Sequence, residues 1–319
     1  VICISTSPNL ILRSGLTKID LQHKPSIEKY FKKENINISD YTFANNYIWF
    51  ENADGFMTEI NENLCMFIYN DEALTLLLPP VGGHSKNETL RECFKIMNGI
   101  NANPNDSKAD YVYADFLNNI DFETFEVERQ NPDYVYISQE ITELRGNKYK
   151  TKRNENNYFI KNYNFKYIPY SFMFRDAAMD LLYRWANLRL ISMGSVQNLE
   201  HFVELMELER KAITRALDHH EELGLKGAVI TIDDRVEGVT FGEKIHDTTA
   251  SVLIEKTNFQ FFGISQFLFK EFCRNEFPDC AYINVGDDLG FENLRKVKMS
   301  YHPFEYIPKY TIRQKQLIS

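Results

Sequence analysis

Residues 258–272 read NFQFFGISQFLFKEF, where Gln260, Gly263 and Ser265 fall in the order Q-x-x-G-x-S just ahead of an apolar run with helical spacing. A glycine lets backbone N–H groups approach a ligand, and a helix start favours anions, so the stretch reads as a loop for donor phosphates. An ordinary helix start is the plainer reading. The single glycine and the bulky Phe261 and Phe262 keep it open. Two acidic residues lie on the strands leading into this loop, Glu255 and Glu243. Either could take a proton from an amine or hydroxyl, and Tyr301 ends the last helix. The alternatives are solvent-facing carboxylates and an aromatic plug between helix and sheet. Arg295 and Lys298 crowd one helix and would neutralise donor phosphate or decorate a surface. Arg145, Lys148, Lys150, Lys152 and Arg153 cluster in RGNKYKTKRNENNY. Lys148 and Lys152, four apart, would share one helix face. Such a cluster suits the phosphates of a nucleic acid, or the solvated face of a linker helix.

The elements that must hold these residues belong to a chain of 319 residues, long enough for about two domains. With 44% hydrophobic and 25% charged residues, the composition excludes the disordered and fibrous classes. Net charge is −9, so a polyanionic partner would need a local basic patch such as the one above. No apolar run approaches the roughly 18 residues of a membrane span. The opening residues lack the basic start and cleavage site of a secretory signal. Cys3, Cys65, Cys93, Cys273 and Cys280 are odd in number and lack metal-ligand spacing, which points to a reducing cytoplasm. The histidines are scattered, and Asp287-Asp288 before Leu-Gly reads as a turn and cap, so no metal is expected.

From residue 165 onward the pattern predicts strand, two helices over 175–190 and 199–222, three strands, a helix from Gly263, a strand at AYINV, a helix over 291–301 and a last strand, PFEYIPKYTI. The first half predicts helices over 26–34 and 41–49, strands GFMTEI, LCMFIY and ALTLLL, and a helix over 86–97. Then come strand YVYADF, a short helix from Asn118 and strand YVYIS. Three strands, helix, strand, helix, strand therefore occurs twice, in element order only.

The order after residue 165, with a glycine turn between its fourth strand and the following helix, resembles the GNAT-type acetyltransferase fold. YINVGDDLGFENLRKVKMSYHPF, with GNKYKTKRN and HHEELGLKGAVI, resembles more closely a bacterial family sharing the C-terminal domain of phosphatidylglycerol lysyltransferase. That resemblance implies an α/β (α+β) protein of two tandem acetyltransferase-like domains, each a mixed, mostly antiparallel sheet flanked by helices. The expected layout is an extension over 1–17, a degenerate domain over 18–145, a basic linker helix over 146–164, and a domain over 165–319 with the working cleft. It also implies acyl transfer, with Gln260, Gly263, Ser265, Arg295 and Lys298 at the donor, Glu255 or Glu243 as base and Tyr301 as acid. PPVGGHSK in the first half takes the equivalent turn and reads as a structural copy. The expected co-substrate is aminoacyl-tRNA or acyl-CoA, with aminoacyl-tRNA favoured by the dense basic cluster and the degenerate glycine loop. No cofactor is held permanently, and the acceptor is a small molecule, peptide or lipid. An acyl-CoA-dependent N-acyltransferase, or a non-catalytic binding module on the same fold, are the alternatives.

Overall fold

The computed structural model describes residues 11–12, 14–50, 53–70, 73–193 and 199–315. The expected extension over 1–17, with Cys3, lies mostly outside them. In chain order the elements begin β1 (Thr17–Lys18), α1 (Lys24–Glu34), α2 (Phe43–Trp49), β2 (Asp54–Ile60), β3 (Asn63–Tyr69), β4 (Leu74–Leu76), α3 (Lys86–Ile100), β5 (Lys108–Tyr113), β6 (Phe125–Arg129) and β7 (Asp133–Ile137). They continue with α4 (Ser138–Glu143), α5 (Lys150–Asn162), β8 (Phe165–Pro169), α6 (Arg175–Met193), α7 (Leu199–Leu223), β9 (Lys226–Ile232), β10 (Arg235–His246) and β11 (Thr249–Thr257). The last are α8 (Ile264–Glu276), β12 (Tyr282–Asn284), α9 (Glu292–Met299), β13 (Glu305–Ile307) and β14 (Lys309–Gln314). The tight hairpins are set by residues that tolerate positive φ: Asn61-Glu62 between β2 and β3, and Asp233-Asp234 between β9 and β10. Both central residues of each turn are left-handed, the twist that two-residue hairpins require.

The chain forms two mixed sheets flanked by helices, ordered β1-β2-β3-β4-β5-β14-β6 and β13-β7-β12-β11-β10-β9-β8. Two compact units follow from them, Val1–Asp133 with Ile307–Ser319, and Tyr134–Tyr306. These are not the boundaries expected from the sequence. Residues 134–164 join the second unit, because β7 pairs with β12 and α5 contributes Phe159 to that unit's core. The last strand joins the first unit, because β14 inserts between β5 and β6. What reads in sequence as one final strand is two, broken at Pro308, whose ring nitrogen has no hydrogen to donate to a ladder. A further difference is β6, preceded by a 3₁₀ turn over Ala114–Asn119 where a helix from Asn118 was expected. Each sheet packs its own apolar cluster: Phe67, Leu90, Phe94 and Ile312 among others in the first unit, Ile230, Phe159, Phe267 and Phe272 in the second. Cys65, Cys93, Cys273 and Cys280 are buried free thiols.

Candidate active site

In the second unit one strand loses a neighbour part-way along its length. β11 pairs with β10 along its whole length, Thr249 to Thr257. On its other side it pairs with β12 only from Thr249 to Ser251. Past that point β11 has no strand paired on that side, and Glu255 lies in this unpaired stretch. Successive strand residues face opposite ways. Lys256 accordingly turns to the α6 and α7 side, where its ammonium lies 3.9 Å from the centre of the Trp185 ring and 2.8 Å from Glu209. Glu255 faces the other layer, within electrostatic reach of Cys273 on α8 and of Tyr301. Burial pushes its carboxyl up to about 8, and Lys256 opposes this only in part. A carboxyl so placed gains and loses its proton near neutral pH, which suits proton transfer.

Tyr301 is buried, its ring 5.3 Å from Phe269 and 5.8 Å from Tyr136. Burial, then the negative charge of Glu255, raises its hydroxyl well above the usual range. The aromatic plug and the proton donor are therefore compatible roles for one side chain. Glu243 is half-buried and pairs with Ser251, four residues before Glu255 along β11. Four strand residues span about 13 Å, so the two carboxylates are not brought together.

The glycine loop behaves otherwise than its spacing suggests. Gly263 has φ +89°, and a Cβ there would lie 2.1 Å from the carbonyl oxygen of Glu155 on α5. The missing side chain is spent on the close approach of that helix. The loop's aromatics follow suit: Phe262 packs edge-on against Tyr158 of α5, and Phe261 against Tyr163. Ser265 shares a hydrogen bond of 2.6 Å with Thr257, while Gln260 is exposed.

The basic stretch is likewise no single strip. Lys148 precedes α5, so it does not share a helix face with Lys152. It pairs with Glu140 at 2.7 Å. Arg153 donates to the carbonyls of Leu144 and Gly146, closing the end of α4. Lys152 points inward, its ammonium 4.8 Å from the centre of the Tyr301 ring and 3.5 Å from Glu155. Arg145 and Lys150 are exposed, Arg145 beside Glu143 at 3.1 Å.

Residues 32–313 match the family model described as phosphatidylglycerol lysyltransferase, C-terminal. The chain belongs to this family. No curated protein matches it. A conserved protein of unknown function from Bacteroides thetaiotaomicron is similar in structure, with a TM-score of 0.82 and 26% identity over 94% of this chain and 99% of that one. The C-terminal domain of a putative lysylphosphatidylglycerol synthetase from Agrobacterium fabrum has a TM-score of 0.63 at 13% identity, over 92% and 91% of the two chains. L-PGS from Bacillus licheniformis has a TM-score of 0.62 at 13% identity, over 94% of each.

In this member of the phosphatidylglycerol lysyltransferase C-terminal family, Arg295 and Lys298 shape a loop. Arg295 bonds to buried Asp288 at 2.6 Å. Burial works against the Asp288 carboxylate, yet the bonds from Arg295 and Tyr134 hold it at about 2. Lys298 donates to the carbonyls of Val285 and Asp287. Asp287 and Asp288 accept from the amides of Leu289 and Gly290, as turn residues do. Among the described residues no group of three or more His, Cys, Asp or Glu could hold a metal ion. In the first unit the turn PPVGGHSK is filled by the protein itself, the amide of Gly82 donating to Glu34 and that of Gly83 to Asn63. Lys86 also bonds Glu34, at 2.5 Å. Sequence reasoning missed Glu155 altogether and grouped Lys152 with outward cations. The usable signal was phase, since Lys152, Glu155, Asn156 and Phe159 fall at helical spacing on the face that carries buried Phe159.

Proposed function

We propose that the second unit is an aminoacyltransferase, taking the aminoacyl group of an aminoacyl-tRNA and passing it to an amine or hydroxyl of a small-molecule, peptide or lipid acceptor. The observation that carries this reading is the seating of α5 on Gly263, which spends the loop's glycine on helix packing rather than on a coenzyme's pyrophosphate. The donor-phosphate role of Gln260, Gly263 and Ser265 thereby loses ground. The unpaired stretch of β11 keeps Glu255, with Tyr301 within its electrostatic reach. Membership in a family described as a lysyltransferase's C-terminal domain supports the same choice. In tandem acetyltransferase-like terms, the first unit is then a structural copy whose turn is occupied by Glu34, and a cytoplasmic setting fits. Among the described residues, no helix is long and apolar enough to cross a membrane.

In the reaction, the acceptor's lone pair attacks the ester carbon of the aminoacyl group. Its proton passes to the ionised Glu255 carboxylate, the bond from the acyl carbon to the ribose oxygen breaks, and that oxygen takes a proton to restore the tRNA hydroxyl. A carboxyl near 8 accepts and returns protons without a large mismatch. The Tyr301 hydroxyl gives its proton to the departing oxygen and regains one from the Glu255 carboxyl, which thereby returns the proton taken from the acceptor. Arg145, Lys148 and Lys150, exposed cations before and at the start of α5, are the contacts left for tRNA phosphate. A non-catalytic binding module is the reading that a closed glycine loop also favours. A thermal-shift screen with coenzyme A, acyl-CoA, charged and uncharged tRNA separates them, because a ligand at a hundred times its Kd adds about 2.7 kcal/mol. Stabilisation by charged tRNA is expected. A response to acyl-CoA alone would move the donor to acyl-CoA, and none at all would favour the binding module.

A further inference from the structure

Helix α5 brings two charged side chains into the second unit that the reaction above leaves unused. The side chains of Lys152 and Glu155 are only 12% and 20% exposed. Their 3.5 Å separation is too long for a strong hydrogen bond. The Glu155 Oε2 atom is buried with no hydrogen-bond partner. The Lys152 ammonium instead faces the ring of Tyr301. The two charges offset each other at that distance, yet the carboxylate oxygen and the ammonium, both largely removed from water, are left with hydrogen-bonding capacity that a ligand would complete. The spare oxygen of Glu155 and the donors of Lys152 sit side by side, so the group that completes both must offer a cation and an acceptor oxygen a short distance apart.

We propose that Lys152 and Glu155 clamp the transferred group itself: the Lys152 ammonium donates to the carbonyl oxygen of the acyl carbon, and the Glu155 carboxylate accepts from the α-ammonium next to it. This rests on the aminoacyl reading and deepens it by assigning the residues that recognise the group. When the acceptor attacks, the carbonyl electron pair moves onto the oxygen, where Lys152 stabilises the charge while keeping its own proton. When the ribose oxygen departs, the pair returns and the carbonyl re-forms. An acyl group without an ammonium would leave the Glu155 oxygen unmatched, which gives the site its preference for aminoacyl over plain acyl groups.

The test is calorimetric titration of the full chain with alaninamide, serinamide and lysinamide, each carrying an α-ammonium beside a carbonyl, and with propionamide as the counterpart lacking the ammonium. At least one amino-acid amide is expected to bind, with propionamide at least tenfold weaker. Glu155→Gln and Lys152→Met should each weaken the amide at least tenfold, and Lys152→Arg should recover part of the loss. If Lys152→Met does not fold, Lys152→Gln and the propionamide comparison on the unaltered protein carry the same decision. Equal binding of the amide by the variants, or of propionamide by the unaltered protein, overturns the clamp while leaving aminoacyl transfer standing. Failure of every amide overturns the clamp, and acyl-CoA binding in the same titration would then overturn the aminoacyl reading with it.

Discussion

The carbonyl oxygen of Glu155 stands 2.1 Å from where a Cβ on Gly263 would lie, so the helix α5 and the start of α8 can pack as they do only because residue 263 is glycine. Gly263→Ala forces the helix away and also strains a left-handed backbone. A loss of at least about 2 kcal/mol is expected, the sum of a clash and the cost of positive φ. The urea midpoint checks it. A Gly263→Ala protein as stable as the parent would mean that α5 is not seated on the loop.

Glu255 makes stability fall with pH over a defined window. Its folded value of about 8 lies above the ordinary 4.5, so between those values the folded state holds a proton that the unfolded state has released. Stability therefore declines as pH rises from about 4.5 and the full penalty is reached above about 8. Glu255→Gln should remove this decline and stabilise the protein at pH 9 by about 3 kcal/mol, allowing for the partial exposure of the carboxyl. Parallel stability curves for the two proteins from pH 5 to 9 would refute the buried carboxyl.

The cations of the basic stretch should separate by direction. Arg145→Glu and Lys150→Glu alter exposed charges, and each should reduce the dependence of log tRNA affinity on log salt by about 0.7 to 0.9. Lys152→Met alters an inward cation and should leave that slope unchanged. Arg153→Ala should instead cost stability, because its guanidinium holds the carbonyls of Leu144 and Gly146. A salt titration of tRNA affinity across the first three variants, and a urea midpoint for Arg153→Ala, distinguish these outcomes.

In the first unit, Lys309 is buried with its ammonium 2.8 Å from Asp133 and 3.1 Å from Asp40. Asp133 also accepts from the Ser39 amide. Lys309→Met leaves a fully buried carboxylate without its cation, at an expected cost of about 3–5 kcal/mol. A change in the denaturation midpoint worth less than about 1 kcal/mol would contradict that role.

Much of this was legible from periodicity. The helix and strand order after residue 165 follows the sequence pattern closely, as does the turn at Asp287-Asp288, because each is set by local chemistry. What could not be read depends on partners far along the chain. YIPKYTI has strand character throughout, but the two sheets that divide it at Pro308 are tertiary facts. Gly263 looks the same in sequence whether its open side meets a phosphate or the Glu155 carbonyl. Lys152 and Lys150 have the same charge, and only the phase of Phe159 separates inward from outward. Glu255 was visible as a carboxylate on a strand, while its raised value comes from burial that the strand's alternation alone leaves undecided.

Aminoacyl transfer through Glu255 is tested most directly by tRNA charged with radiolabelled amino acids and mixed with an extract of small molecules, peptides and lipids as the acceptor pool. Label should leave the tRNA for an extractable acceptor only when the protein is present. The rate should rise with pH through about 8, as the Glu255 carboxyl ionises, and should fall about a hundredfold or more in Glu255→Gln. Label that stays on the tRNA while labelled acetyl-CoA is consumed, or transfer that is indifferent to Glu255→Gln, would contradict the account.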